Sequence, residues 1–179
     1  MKTNCFSNNY LINKLENEGY EVVVPTFLKF LEYDFYSKKF NKVENIDNNK
    51  KAYLTKYVIK KTIDYYRKIV ETELSKFKRY TPDTPLEASI KNKRNILPLS
   101  LQFGEGWLLS NEIGEMAHNN IKNIISIQPF GCISNHIIAK GIYRELKENF
   151  DVNLLLLDYE SGTSEVNIEN RLKLFLENI

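Results

Sequence analysis

The sequence predicts an α/β protein: a three-layer, Rossmann-like lobe with a short parallel sheet and a large helical insertion. Three observations predict it. Residues 97–179 alternate strand and helix signals in the order βαβα. The strand segments Asn123–Ile127 and Val152–Leu157 are apolar at consecutive positions, the pattern of strands covered by helices on both faces. Residues 26–96 carry helical periodicity and read as an insertion.

Taken in order, Ser7–Glu18 places Tyr10, Leu11 and Leu15 on one stripe, and Gly19 can end that helix in the left-handed conformation. The residues before Ser7 read as the tail of a further strand, as if the chain began inside a larger protein. Glu21-Val22-Val23-Val24 is β-branched, stops at Pro25, and is expected to supply a third strand. Residues 1–25 are thus the first α/β elements of the lobe. Thr26–Phe40 holds too many aromatic and aliphatic residues for a single-sided helix, so it should be buried on most sides or lie at an interface. Asn41–Asn49 is a polar connection. Lys51–Lys78 follows as a long helix whose apolar stripe runs through Leu54, Val58, Tyr66, Val70, Leu74 and Phe77. Thr84-Pro85-Leu86-Glu87 has the spacing of a capping box opening another helix. The remaining portion, 97–179, reads as helix Gly106–His118, strand Asn123–Ile127, helix Ile133–Asn149, strand Val152–Leu157 and helix Ser164–Glu177.

With 42% hydrophobic and 27% charged residues the 179-residue chain is globular in composition, which excludes disorder and collagen. It has no apolar run of membrane-spanning length and no signal-peptide h-region, so a cytoplasmic protein is expected. Two cysteines, Cys5 and Cys132, are too few for a disulfide framework. Charge is uneven: residues 1–96 carry 19 Lys/Arg against 12 Asp/Glu, residues 97–179 carry 6 against 11. The basic excess sits in 50–94, interleaved with tyrosines. It reads first as a solvated helix face whose tyrosines pack inward. A partner subunit or the nucleotide part of CoA could contact it through Lys60, Lys61 and Arg67.

In parallel sheets ligands bind beyond the C-terminal strand ends. Two loops lie there. Gln128-Pro129-Phe130-Gly131-Cys132-Ile133-Ser134-Asn135-His136 puts a thiol at the start of a helix, where the positive dipole end favours thiolate. Gly131 permits close backbone approach, and His136 lies one helical turn past Cys132. A small buried hydrophobic cysteine and a core histidine are the plain alternatives. Asp158-Tyr159-Glu160-Ser161-Gly162-Thr163-Ser164-Glu165 offers Ser161, Gly162, Thr163 and Ser164 to an anion, or Ser164 as an N-cap. Asp158 and Glu160 would repel an anion unless a cation intervenes. Gly104-Glu105-Gly106-Trp107 is not a nucleotide fingerprint, no P-loop occurs, and no Ser-His-Asp or HExxH arrangement is visible.

Several stretches together carry a resemblance: Gly104-Glu105-Gly106-Trp107-Leu108-Leu109-Ser110; Gln128 to His136 with Lys140-Gly141; Asp158 to Asn167; Asn170-Arg171-Leu172-Lys173-Leu174; and Glu21 to Pro25 with the aromatic-rich helix after it. In this order they resemble the C-terminal region of the large 2-hydroxyacyl-CoA dehydratase activase proteins of anaerobic bacteria, often named activators of 2-hydroxyglutaryl-CoA dehydratase. The resemblance covers most of the chain. It implies a lobe of dehydratase-subunit fold, whose relatives hold a [4Fe–4S] cluster between Rossmann-like lobes. An ATP-driven activase supplies them with an electron for radical dehydration of an acyl-CoA.

Cys132 matches the family's QPFGC cysteine and is the implied metal ligand; Gly131, Asn135, His136, Ser161, Gly162, Thr163 and Ser164, on the two loops at the strand ends, are the candidate cofactor-binding residues. Glu160 to Ser164 departs from the family's usual Asp-Pro-Gly-Ala-Ser, and Asp34 stands where a cysteine is often found. A cubane takes about four ligands. One thiol leaves the cluster partly ligated, so the isolated chain is expected to be catalytically incomplete and to share the cluster with another activase or dehydratase lobe or subunit. An acyl-CoA is a further candidate partner; a membrane or nucleic acid is not expected. Two other classes fit the same sequence: a non-catalytic interaction module with an aromatic interface on Thr26–Phe40, and a flavodoxin-like domain with a small-ligand pocket over Ser161–Ser164.

Overall fold

A computed structural model describes residues 5–78, 80, 82, 84–92, 96–160 and 165–179; the side chains of 5–9, 133–135 and 165 stand outside that description. Among the described residues the chain is mixed α/β and mostly helical, with one two-stranded parallel sheet. It divides into two compact units, one formed by 1–25 and 116–179, the other by 26–115.

In the first unit, β1 (Asn123–Pro129) pairs in parallel with β2 (Asn153–Tyr159), in register from Asn123 opposite Asn153 to Pro129 opposite Tyr159. Alternation sends Ile125, Ile127, Leu155, Leu157 and Tyr159 to one face. There they pack with Leu11 and Leu15 of α1 (Cys5–Asn17) and Ile168 and Leu172 of α8 (Glu165–Leu176). Between the strands run α6 (Ile133–Gly141) and α7 (Tyr143–Phe150), and α7 packs on β2. Ile138, Ile142 and Leu146 recur every fourth residue and are all buried. Both strands outrun their expected ends by two residues.

Three expectations for this unit are corrected. Residues 20–25 form no strand: Val22 packs on the leucine cluster, while Val23 and Val24 are exposed and Pro25 has no N–H to offer a ladder. The segment before Ser7 is not a strand tail where it is described, since Cys5 and Phe6 already belong to α1; residues 1–4 lie outside the described residues. The single helix expected over Ile133–Asn149 breaks at Gly141-Ile142, where Ile142 leaves helical geometry at φ −101° and ψ 4°. Glycine is the weakest ordinary residue to carry a helix across such a point. The start expected for the last helix, Ser164, lies outside the described residues.

In the second unit, α2 (Leu28–Val43) and α3 (Lys50–Leu74) pack against each other, with Asn49 capping α3 by accepting from the Ala52 N–H at 3.0 Å. α4 (Leu86–Lys91) starts on Pro85 with no side-chain cap, so the capping box does not form. α5 (Gly106–His118) buries nine of its first ten residues, Leu109 being half-buried. The core gathers Tyr33, Phe35, Tyr36, Leu86, Trp107 and Leu108. Beneath it run two buried ionic ties. Arg67 donates to both carboxylate oxygens of Glu32, at 2.9 and 2.7 Å, with Glu32 fully buried and Lys60 3.4 Å away. Lys29 donates to Glu115 at 2.6 Å, and Ser89 Oγ donates to the same oxygen at 2.9 Å.

These ties overturn the reading of α3. Its packed face carries Tyr53, Lys60, Ile63 and Arg67, and the tyrosines expected inside, Tyr57, Tyr65 and Tyr66, are exposed, as is the whole stripe from Leu54 to Phe77. Lys60 and Arg67 serve Glu32 and do not present charge to a partner; Lys61 alone of the three is exposed. In the Gly104-Glu105-Gly106-Trp107 stretch, the first two residues form a turn and the last two open α5. Gly106 has φ +32°, and a Cβ there would lie 1.9 Å from the Leu101 carbonyl oxygen, while Trp107 is fully buried against Tyr33 with ring centroids 5.0 Å apart.

Two substitutions follow. Gly106→Ala should destabilise the protein by about 2 kcal/mol or more, because neither backbone can move without displacing Trp107. Arg67→Ala should cost about 3 kcal/mol, because it leaves buried Glu32 with Lys60 alone, at 3.4 Å. Urea denaturation followed by circular dichroism measures both, and an unchanged midpoint in either would refute the corresponding reading.

Candidate functional site

Parallel pairing brings the C-terminal ends of β1 and β2 to one edge. Gln128 and Asp158 are register partners there, and the Gln128 amide donates to the Asp158 carboxylate. The pairing reaches one residue further, with Phe130 N–H donating to the Tyr159 carbonyl at 2.8 Å. The chain then turns through Gly131 at φ +72°, where a Cβ would meet open space, and Cys132 becomes the N-cap of α6. The Cys132 side chain makes no capping bond; its carbonyl accepts from His136 N–H at 2.7 Å, and the thiol is at intermediate exposure.

α6 carries two further groups to this edge. Lys140 Nζ donates to Asp158 Oδ2 at 3.0 Å and lies 2.7 Å from His136 Nε2. An ammonium has only protons to offer, so Nε2 is the acceptor and the ring proton sits on Nδ1. That Nδ1 faces Asp158 Oδ1 at 3.6 Å, too far for a hydrogen bond. Phe130, exposed, meets the His136 ring edge-on at 6.1 Å. Gln128 is almost wholly buried, and its Oε1 and His136 Nδ1 have no hydrogen-bond partner among the described residues. Burial pushes the Asp158 carboxyl upward, but hydrogen bonds from Gln128 and Lys140 and the charge of Lys140 outweigh it, leaving Asp158 below the usual carboxylate range. Lys140 is therefore the cation that answers the acidic character of this loop. The sequence signal that points to it is its place one turn beyond His136 on the same helix face.

Of the residues singled out in the sequence, Gly131, Cys132 and His136 meet at this edge, with Gln128, Asp158 and Lys140 added to them. The side chain of Asn135, and Ser161, Gly162, Thr163 and Ser164, lie outside the described residues. His118 ends α5 exposed to solvent. A shallow cleft lined by Lys122, Asn123, Lys147, Asp151 and Asn153 opens at the opposite, N-terminal end of the strands and gathers no nucleophile or histidine.

Among the described residues no group of three or more His, Cys, Asp or Glu side chains is placed to hold a metal ion. Cys132 brings a single thiol, so these residues do not by themselves fit a complete iron–sulfur cluster. No described helix is long and apolar enough to cross a membrane. The chain matches no family model, no curated protein and no solved structure.

Asp158 gives the site a pH signature. A carboxyl held below its unfolded value adds stability above about pH 4, and that stability is lost as pH falls through the depressed value. Asp158→Asn should therefore be less stable than the parent at pH 7, with the gap closing on acidification. Thermal melts across pH 3–7 measure it, and a gap that widens toward low pH would contradict the assignment.

Proposed function

We propose that this chain is a lobe of an activator of 2-hydroxyacyl-CoA dehydratase, a cytoplasmic protein in which Cys132 contributes one thiolate to a [4Fe–4S] cluster shared with another lobe or subunit. The observation that carries the reading is the placement of Cys132: a thiol of intermediate exposure at the N-cap of α6, just past the C-terminal end of a parallel strand, within the Gln128–His136 stretch on which the resemblance rests. The first-turn N–H groups of α6 and the dipole end favour negative charge at this sulfur, whether thiolate or metal-bound. A cluster bound there would supply one-electron chemistry. This chain's own part is to hold the sulfur: the Gly131 turn sets its height above the sheet, and the tie from Gln128 through Asp158 to Lys140 fixes α6 against β2. Because the remaining ligands must come from elsewhere, the isolated chain is inactive in dehydration.

A second reading is favoured by a separate observation. Phe27, Phe30 and Leu31 at the start of α2 are exposed, with the Phe27 and Phe30 rings stacked at 5.3 Å. Those aromatics suit a docking module that keeps the lobe fold without the chemistry.

Anaerobic reconstitution with iron and sulfide separates the two. The parent chain and Cys5→Ser should retain iron that Cys132→Ser does not. Equal iron in parent and Cys132→Ser removes the ligand assignment, and no iron in any of them, with a stable hetero-complex formed, favours the docking module.

A further inference from the structure

The outward face of α3 is a second, separate feature. Lys51, Leu54, Val58, Lys61, Tyr65 and Lys68 follow one another at alternating spacings of three and four. At 100° per residue they fall within an arc of about 100°. All six are exposed, Leu54, Val58 and Tyr65 to between 56% and 64%. This is the repeat of a helix that packs lengthwise on another helix, and α3 turns it to solvent while a face held by Lys60, Arg67 and Ile63 packs on α2. Ile69, also exposed, falls at the edge of the same arc.

The lysines decide what fits. Among the described residues no carboxylate lies within ion-pair distance of Lys51, Lys61 or Lys68, although the neighbouring Lys56 and Lys60 are both paired. A second copy of α3 on this seam would double its cations and bring no acid. A bilayer accepts a broad apolar face with its cations on the far side, whereas here lysines enter the apolar row itself. A helix with apolar residues at the same repeat and Glu or Asp at the positions meeting the lysines satisfies both features.

We infer that the exposed seam of α3 is a docking site for an acidic amphipathic helix of another protein. The inference does not depend on iron at Cys132. In the test, the full chain is titrated by fluorescence anisotropy with two synthetic helical peptides that share one apolar 3–4 seam. One carries Glu, the other Lys, at the positions facing Lys61 and Lys68.

The Glu peptide should bind about tenfold more tightly at low ionic strength, the preference should shrink in high salt, and the double variant Lys61→Glu/Lys68→Glu, with circular dichroism unchanged, should reverse it. Both lysines are exposed and outside the buried ties, so the variant should fold; if its spectrum changes, Leu54→Asp, expected to abolish binding of the Glu peptide, replaces it. Equal binding of the two peptides, or binding of neither, overturns the proposal. So does displacement of the Glu peptide by vesicles containing phosphatidylserine, which makes the face a membrane contact. Self-association of the parent that Leu54→Asp abolishes also overturns it, because the occupant is then a second copy.

Discussion

Parallel strands share a direction, so whatever follows one strand emerges beside whatever follows its neighbour, and in this chain a single seven-residue pairing decides where every polar group of the candidate site stands. With Asn123 set opposite Asn153, Gln128 comes opposite Asp158, and the turn carrying Cys132 leaves the sheet where β2 ends at Tyr159. A slip of one residue would turn Gln128 to the leucine-covered face and leave Asp158 without its amide donor. The apolar register supports the polar one: Ile125, Ile127, Leu155 and Leu157 pack with residues of α1 and α8, and a one-residue slip would turn one strand's pair away from them.

The same competition between apolar and polar burial runs the other way in the helical unit. An amphipathic stripe is legible along α3, yet the structure buries a different one. Periodicity reports that a stripe exists; it does not report which face a neighbouring helix selects. Here the selection follows ionic pairing over 35 positions of sequence, since Glu32 on α2 takes both guanidinium nitrogens of Arg67. Once that carboxylate is buried, leaving it unpaired costs more than exposing Leu54 or Val58, because the burial of one aliphatic side chain is worth about 1.5–3 kcal/mol and a stranded buried charge about 3–5 kcal/mol. No local pattern in the sequence announces such a pair.

What was legible elsewhere follows the same rule. α5, β1, β2 and α8 are found almost at their expected bounds, because consecutive apolar residues and clear breakers define them locally. The third strand was misread because three valines satisfy β-propensity without guaranteeing a ladder to join; Val22 finds the core by itself and its two neighbours remain in solvent. At the candidate site, Cys132 and His136 were legible from their place after a strand. The tie from Gln128 through Asp158 to Lys140 was not, since it joins three elements and depends on register. The Gly104-to-Trp107 stretch shows the reverse: conspicuous in sequence, it is explained by packing, through the approach of Gly106 to the Leu101 carbonyl and the burial of the Trp107 ring.

Lysines inside an otherwise apolar row have a physical consequence for the isolated protein. An uninterrupted apolar face of this length would draw copies together, whereas like charges recurring along the row oppose self-pairing and leave the apolar positions available to a surface of opposite sign. The cost to the monomer is small, because each lysine can extend its ammonium into water while its methylene stem covers part of a neighbouring apolar side chain, and the Lys61 ammonium lies 5.6 Å from the Tyr57 ring centroid, where the ring face attracts it. An interface of that kind binds through its apolar residues and chooses through its lysines, so substituting a lysine changes which partner is accepted more than how much surface is buried.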